Sequence, residues 1–364
     1  MRLIVMLMLA CALGQTVGAE PAHGPLVVAT WGGVYERSQR AAYFDPYTEA
    51  TGTPIQTASY SGGLGTLRKR VQGPGDWDVI DMTMADHRRA CAEGLLQSYS
   101  GEGLMPAPDG TPAERDFIRS AITPCGVAHN LFSTVVAFDE DFFRYTAQPH
   151  RIEHLFDTER FPGKRALHKR PDALLEWALL SYGVPVGDLY DLLSTERGLN
   201  LAFKRLDEIR EHIVWWESPE EAVELLRRED VTFAMGYNGR FFDAAVVQNE
   251  PVRIIWDAQV YEFETWGIPR NAAHPERARQ FIGYATRTQS LARQTRYIAY
   301  GPTRASAIRR VGKHASTGVD MRAHMPSHPL HMERAIRKDV DWYAHTRQHL
   351  NERFQVWLAA GDAQ

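Results

Sequence analysis

The 364-residue chain has only three cysteines, a single extended apolar run and no sustained basic stretch. The apolar run, residues 3–13, is shorter than the roughly 20 residues of a transmembrane helix, and no later segment approaches that length. Without a basic stretch, and with a formal net charge of -4, the chain lacks the usual features of a nucleic-acid or anionic-membrane binder. These absences predict a soluble mature protein that does not bind nucleic acid.

The first residues have the layout of a secretory signal peptide. Met1 and Arg2 give a positive start, the apolar run follows, and small residues precede a cleavage point after Ala19. We therefore predict that residues 1–19 are a signal peptide and that the mature protein is periplasmic. The alternative is lipid attachment at Cys11, which the preceding residues fit poorly.

Cys91 and Cys125 remain after this cleavage. In the oxidising compartment outside the cytoplasm, such a pair favours a disulfide. Two free buried thiols, or half of a metal site, are the alternatives. Because no second pair of ligands lies near them in the sequence, we predict a disulfide and no metal.

The chain also lacks the short motifs of common catalytic and cofactor sites. It has no phosphate-binding loop, no G-x-S-x-G and no H-E-x-x-H, and Gly32-Gly33 lacks the rest of a dinucleotide fingerprint. We predict no cofactor and no enzymatic activity. The competing hypothesis is an exported enzyme using Asp78, Asp81 and Asp86, although the first two would point to opposite faces of an extended strand.

Apolar strands and amphipathic helices alternate near the start of the mature chain. The pattern predicts strands over 26–30, 55–60 and 78–82, with helices over 35–51 and 64–72. This alternation is typical of an α/β fold with a parallel sheet, in which ligands bind at the carboxyl ends of the strands.

Later segments repeat the alternation less regularly. Helices are predicted over 172–182, 196–210 and 219–228, a strand over 231–237, and terminal helices within 331–359. A chain of this length exceeds what one hydrophobic core usually supports. We therefore predict two α/β lobes, with the terminal helices on the second.

Aromatic residues stand beside polar ones where strands end. Trp31 follows the first strand, Tyr237-Asn238 follows a later one, and similar clusters occur at 262–266 and 297–300. Aromatic faces attract a cation, and a carboxylate completes the pairing. These clusters indicate a ligand that carries an ammonium group.

Five segments together resemble the periplasmic solute-binding proteins of ABC transporters, in the spermidine/putrescine-binding group. They are 28–33 (VATWGG), 77–81 (WDVID), 91–96 (CAEGLL), 235–240 (MGYNGR) and 266–272 (WGIPRNA). The resemblance implies a type II periplasmic-binding-protein fold with a hinge between the lobes and a permease partner in the inner membrane. We place residues 26–138 plus 264–303 in the first lobe and 139–263 plus 304–360 in the second, and we expect a monomer.

The resemblance also implies a set of ligand-binding residues. Glu264 would bind the ammonium, Asp86 is a weaker acidic candidate that could instead cap a helix, and the rest would form aromatic walls and polar contacts: Trp31, Thr83, Tyr237, Asn238, Trp266 and Tyr300. The predicted function is capture of a small amine, such as putrescine or spermidine, by lobe closure for an ABC importer. A sensor that presents the solute to a membrane receptor would share the same site.

One segment departs from the polyamine-binding pattern. Residues 167–172 read LHKRPD, so Lys169 and Arg170 stand at a predicted helix start. Basic groups there would repel a second ammonium and would suit an anion instead. The alternative ligand is therefore a zwitterion such as GABA or another omega-amino acid, with its amine on Glu264 and its acid on Arg170, assisted by Arg240. If both basic side chains point to solvent, the segment is only a surface feature.

Overall fold

The structure is a computed structural model that describes residues 24–361. The predicted signal peptide, residues 1–19, lies outside the described residues. The strands are β1 Leu26–Thr30, β2 Ile55–Ser59, β3 Val79–Thr83, β4 Ile122–Thr123, β5 Gly126–Asp139, β6 Arg165–His168, β7 Ile213–Trp216, β8 Phe233–Tyr237, β9 Val252–Gly267, β10 Gly301–Pro302 and β11 Ile336–Arg337.

The helices lie on the faces and at the edges of the sheet that these strands form. They are α1 Gly33–Gln39, α2 Asp45–Thr51, α3 Gly65–Arg70, α4 Met84–Ala92, α5 Ala113–Asp116, α6 Leu174–Ser181, α7 Leu189–Leu193, α8 Glu196–Asp207, α9 Pro219–Arg227, α10 Asn238–Phe242, α11 Pro275–Ala285, α12 Thr288–Gln294, α13 Ala305–Ile308 and α14 Val340–Gly361. Within residues 24–361, none is both long and apolar enough to cross a bilayer.

The first part of the chain forms the predicted alternation of strands and helices. β1 pairs in parallel with both β2 and β3. A π-helical turn over Arg40–Phe44 joins α1 to α2, so the chain is helical over 33–51. This helix ends at Gly52, whose φ of 73° is a left-handed conformation that glycine adopts without steric cost.

Two long strands, β5 and β9, connect the two ends of the sheet. The strand order is β2-β1-β3-β9-β5-β8-β6-β7. β9 is antiparallel to β3 and β5, and β5 is antiparallel to β8, whereas β6 pairs in parallel with β7 and β8. The sheet is therefore mixed: the parallel arrangement predicted from the sequence holds at its two ends, and the short strand β11 adds one parallel pair with β9.

The buried apolar side chains form one main core at each end of the sheet. The first core is centred on Val28, Val79 and Phe281, and the second on Leu179 and Phe233. Both long strands contribute residues to both cores. This arrangement confirms the predicted two-lobed α/β fold and shows that β5 and β9 are the strands that cross between the lobes.

The terminal helix α14 packs on the second core through Leu350, Phe354 and Trp357, as predicted for the end of the chain. Ala307 of α13, which we assigned to the second lobe, packs in the first core. The exact lobe boundaries stay a prediction.

Cys91 and Cys125 form a disulfide with a Cα–Cα distance of 5.8 Å. Cys91 belongs to α4, and Cys125 precedes β5. The pair therefore links the helix after β3 to the start of a long crossing strand, at a Cα spacing that disulfides commonly show.

Candidate functional site

A cavity of about 930 Å³ lies where strand ends of both cores meet. Trp31 follows β1, Thr83 ends β3 and Tyr237 ends β8. Seven of the nine predicted binding residues line this cavity, namely Trp31, Thr83, Asp86, Arg170, Tyr237, Glu264 and Tyr300. The placement agrees with the general position of ligands at the carboxyl ends of strands in α/β sheets.

Glu264 is a buried acid of this cavity, with 6% of its surface exposed. Its Oε2 accepts a hydrogen bond from the indole N–H of Trp31 at 3.1 Å. Among residues 24–361, no cationic side chain lies within 4.0 Å of its carboxylate. Burial, followed by the charges of Asp81 and Glu262, raises the pKa of Glu264 well above its usual value. Glu264 therefore lacks a cationic partner within the described residues.

Asp81 lies on β3, which pairs with β9, and its charge acts on Glu264. Its carboxylate accepts hydrogen bonds from Tyr35 Oη at 2.7 Å, Gln39 Nε2 at 2.5 Å and His129 Nε2 at 3.1 Å. Asp81 thus has three side-chain donors, whereas the hydrogen bond found to the Glu264 carboxylate comes from Trp31. An ammonium group entering the cavity would offset the negative charges of Asp81 and Glu262 that raise the pKa of Glu264.

Arg170 reaches the cavity from the segment that follows β6. A Cβ added to Gly62 would lie 3.6 Å from Arg170 Nη1 and 3.2 Å from the ring of Trp31. Arg170 thus lies beside the wall of the cavity that Trp31 and Gly62 form, although its own segment follows β6, a strand of the second core. Within the described part of the chain it has no carboxylate within 4.0 Å, whereas neighbouring Lys169 pairs with Glu217 at 3.4 Å.

The other cations of the cavity are already paired. Lys338 Nζ lies 2.8 Å from Asp172 Oδ1 and 3.0 Å from Glu262 Oε1, and Arg347 also pairs with Asp172. Burial opposes these charges, but the pairing outweighs it, so the pKa of Asp172 falls well below its usual value and that of Lys338 rises. Arg240, our additional candidate for an anion, pairs with a glutamate, Glu220, at 2.7 Å.

Thr83 and Asp86 line the cavity but also hold the local fold. Thr83 is the N-cap of α4, and its Oγ1 accepts a hydrogen bond from Asp86 N at 3.3 Å. The Asp86 Oδ2 atom accepts one from Gly63 N at 2.8 Å. The carboxylate of Asp86 therefore anchors the loop that carries Gly62 and Gly63, which leaves it less available to a ligand than Glu264.

Asn238 and Trp266 do not line the cavity, so the prediction for these two residues is corrected. Asn238 is fully buried, because its Oδ1 accepts from Ser133 N at 2.9 Å and its Nδ2 donates to Ala299 O at 2.6 Å. Trp266 is also fully buried and stacks on His129 with ring centroids 4.2 Å apart. Packing inside the first core accounts for Trp266, and the pairing of its buried amide with backbone groups accounts for Asn238.

Sequence reasoning missed several residues that line the cavity: Tyr60, Trp216, Lys338 and Arg347. Glu262, which we noted only as part of an aromatic cluster, lines it as well. Its position was detectable, since it lies two residues before Glu264 and alternate residues of a strand share a face. Lys338 and Arg347 had no local signal, because the packing of the C-terminal segment brings them to the site.

The aspartates of the rival enzyme hypothesis do not converge. Asp78 accepts hydrogen bonds from Val27 N and His274 N, each at 2.9 Å. Asp81 lies in the buried network beside Glu264, and Asp86 holds a loop. In the described range 24–361, no three His, Cys, Asp or Glu side chains form a group suited to a metal ion.

Comparison with known proteins identifies the relatives of this chain. Its residues 42–323 match the family described as bacterial extracellular solute-binding protein. The chain is 30% identical over 350 residues to the gamma-aminobutyric acid-binding protein of Pseudomonas aeruginosa, covering 95% of this chain and 94% of that protein.

Solved structures show the same architecture. An ABC transporter substrate-binding protein from Bradyrhizobium japonicum superimposes with a TM-score of 0.80 at 25% identity, covering 92% of this chain and 99% of that one. The structure of a GABA receptor superimposes with a TM-score of 0.76 at 25% identity, covering 92% and 97%.

These relatives bind solutes and are not enzymes, in agreement with the predicted capture without chemistry. The family is extracellular, which agrees with a location outside the cytoplasm. None of the reported relatives is described as a polyamine binder. The chain belongs to the bacterial extracellular solute-binding proteins.

Proposed function

We propose that this protein captures a zwitterionic omega-amino acid, such as GABA, and delivers it to an ABC permease. The observation that carries the proposal is a pair of uncompensated charges in one cavity. Glu264 has no cation and Arg170 has no carboxylate within 4.0 Å in the described chain, while the other charges named around the cavity have partners. A solute with one ammonium and one carboxylate supplies both missing charges.

Charges of opposite sign lie close to Tyr60, an aromatic residue that lines the cavity. Burial raises the pKa of Tyr60, and so do the charges of Asp86 and Glu264, whereas Arg170 lowers it. The ring of Tyr60 lies 4.9 Å from that of Trp31, centroid to centroid. These two rings therefore offer an apolar and cation-attracting surface for the methylene chain and the ammonium of the ligand.

A polyamine fits this arrangement less well, although it was our first prediction from the sequence. A diamine needs two uncompensated carboxylates, but Lys338 neutralises Glu262 and a backbone N–H occupies Asp86. The unpaired Arg170 would repel a second ammonium. The names of the GABA-binding relatives favour the zwitterion as well.

The proposed mechanism is reversible enclosure. The solute would pair with Glu264 on the first-core side, and Arg170 would close on its carboxylate from the second-core side as β5 and β9 flex. Exclusion of water strengthens both ion pairs. The closed protein would then dock, as a monomer, on the permease.

The test is calorimetry and thermal shift on the mature protein with GABA, butyrate, n-butylamine, putrescine and spermidine. GABA at a hundredfold above its Kd should stabilise the protein by about 2.7 kcal/mol. Removal of either charged end, as in butyrate or butylamine, should weaken binding about a hundredfold or more, because a buried charge is then left unpaired.

Variants assign the two ends of the ligand. We expect Glu264→Gln and Arg170→Ala each to weaken GABA binding about a hundredfold. Glu49→Gln and Arg119→Ala, at exposed positions outside the cavity, are matched controls and should bind normally. Tighter binding of putrescine than of GABA, insensitive to Arg170→Ala, would overturn the proposal in favour of a polyamine.

A further inference from the structure

A smaller cavity of about 80 Å³ lies across β9 from the solute cavity. Tyr261 and Phe263 line the smaller cavity, whereas Glu264 lines the solute cavity. Successive residues of a strand face opposite sides of the sheet. The two cavities therefore lie on opposite faces of the same crossing strand.

Elements that pack on both cores surround the smaller cavity. Met84 and Arg88 belong to α4, and Met84 packs in the first core. Arg337 belongs to β11, and Val340 and Asp341 form the start of α14, the helix that packs on the second core. A ligand in this cavity would therefore contact α4 and the C-terminal segment at the same time.

The charged side chains around the smaller cavity leave an excess of positive charge. Lys338 and Glu262, which line both cavities, pair with each other at 3.0 Å. Arg88 and Arg337 have no carboxylate within 4.0 Å in residues 24–361, and the Nε atom of Arg88 has no hydrogen-bond partner there. Among the described residues that line this cavity, Asp341 is the other charged one, so two unpaired guanidinium groups are opposed by one carboxylate.

The start of α14 adds to this positive potential. Asp339 accepts hydrogen bonds from the N–H groups of Trp342 and Tyr343. The N–H groups of Val340 and Asp341, which line the cavity, come earlier, and the first N–H groups of a helix have no acceptor within it. The positive end of the helix dipole therefore reinforces the two guanidinium groups.

We propose that the smaller cavity is a binding site for a small inorganic oxyanion, such as phosphate or sulfate, held between Arg88 and Arg337. Guanidinium groups suit such anions because their planar N–H donors match the spacing of two oxygens. A volume of about 80 Å³ holds roughly five to eight atoms of the size of a water oxygen. A tetrahedral oxyanion is of that size, whereas a nucleotide or an acidic peptide is too large.

An anion at this position would act on solute binding through the C-terminal segment. Arg337 pairs with Tyr261 in the register of β11 and β9, and the next residue, Lys338, lines the solute cavity. An anion that bridges Arg88 and Arg337 ties α4 to this segment, in the arrangement in which Arg170 lies beside the wall of the solute cavity. The anion and the solute should therefore strengthen each other's binding, and this coupling alone rests on the proposed function.

The test is calorimetry on the mature protein with inorganic phosphate and with sulfate, in a chloride buffer of matched ionic strength. We expect one equivalent of phosphate to bind and to lower the Kd for GABA about fivefold. Arg88→Gln and Arg337→Gln should each weaken phosphate binding about tenfold or more, because each removes a charged donor. Without phosphate, both variants should bind GABA as tightly as the parent protein, since neither residue lines the solute cavity.

Arg296→Gln is the matched control. Arg296 is exposed and lines neither cavity, so this variant should bind phosphate like the parent protein. Absence of phosphate and sulfate binding, or binding that both cavity variants retain, would overturn the site. Phosphate that competes with GABA and is lost in Arg170→Ala would place the anion in the solute cavity and would overturn it as well.

The remaining outcomes separate the anion site from the solute. Phosphate binding that is lost in both cavity variants but leaves the Kd for GABA unchanged would support the site and overturn the coupling. Failure of GABA to bind to a protein that still binds phosphate would support the site and overturn the proposed function.

Discussion

Glu262 and Glu264 lie two positions apart on the same face of β9, but their surroundings differ in charge. Lys338 lies 3.0 Å from Glu262, whereas no cation in residues 24–361 lies within 4.0 Å of Glu264. Burial raises the pKa of both carboxyl groups. Lys338 opposes the rise at Glu262, whereas at Glu264 the charges of Asp81 and Glu262 add to burial and the hydrogen bond from Trp31 opposes it only in part, so its pKa lies well above the usual value. Glu262 is therefore part of an ion pair within the protein, whereas the Glu264 carboxylate is available to a cationic group of a solute.

The comparison shows how a binding protein divides its buried charges. Lys338, Asp172 and Arg347 compensate one another and connect the C-terminal segment to the second core, so they contribute to structure with no ligand present. Glu264 is destabilising in the empty protein and becomes favourable only when an ammonium arrives. Stability and affinity are therefore expected to change independently at these two positions.

A change remote from both glutamates should affect stability alone and should have the largest effect. The disulfide closes a loop with a sequence separation of 34 residues. Replacing Cys91 and Cys125 together by serine should lower the free energy of unfolding by about 3 to 4 kcal/mol in the chain-entropy model, without changing the affinity for GABA. Urea unfolding and calorimetry measure the two quantities, and intact-mass analysis without reductant checks the pairing. A large loss of affinity would contradict this separation.

Removing Lys338 from its ion pairs with Asp172 and Glu262 should have the next largest effect on the free energy of unfolding. Lys338→Met leaves Glu262 without a cation and Asp172 with Arg347 only, so we expect a loss of about 3 kcal/mol in urea unfolding at pH 7. The matched control is Lys169→Met. Lys169 and its partner Glu217 have side chains 42% and 75% exposed, and such a pair should contribute less than about 0.5 kcal/mol. Similar losses for the two variants would remove the distinction between buried and exposed pairs.

Neutralising the unpaired acid should have the smallest effect on stability, with the opposite sign. The folded-state pKa of Glu264 lies above its unfolded value. Its protonated form therefore contributes fully below about pH 4.3, and this contribution is lost as the pH rises through the folded-state pKa. Glu264→Gln should stabilise the empty protein by on the order of 1 kcal/mol at pH 8 and change nothing at pH 4. The exposed Glu49→Gln serves as control, and an equal or lower stability of Glu264→Gln at pH 8 would contradict the assignment.

Much of the fold was predictable because its signals are local. The strand over Leu26–Thr30 and the stop at Gly52 were read correctly from an apolar run and a helix-ending glycine. The crossing strands β5 and β9 were not recognised, since β5 is buried at all but one position and β9 is buried along most of its second half, with no regular alternation in either. A continuously buried strand gives no period-two pattern to detect.

The candidate site divides in the same way. Glu264 and Trp31 could be named because each belongs to a segment that resembles the family or follows an apolar strand, and the structure brings them within 3.1 Å of each other. Trp266 was wrongly included, since a tryptophan beside a glycine in sequence does not reveal which face of the strand is covered by a helix. Its stacking on His129 is a contact between residues distant in the chain.

By itself, the sequence determined the class of this protein: its order of strands and helices, its cysteine pair and the ordered motifs of an extracellular solute-binding family. Only the tertiary structure decided which charges are free. Lys338, the cation 3.0 Å from Glu262, comes from a segment more than seventy residues further along the chain, whereas Glu264 receives no cation from residues 24–361. Whether a buried charge is compensated depends on distances of a few ångströms between such segments, and local sequence patterns carry no information about those distances.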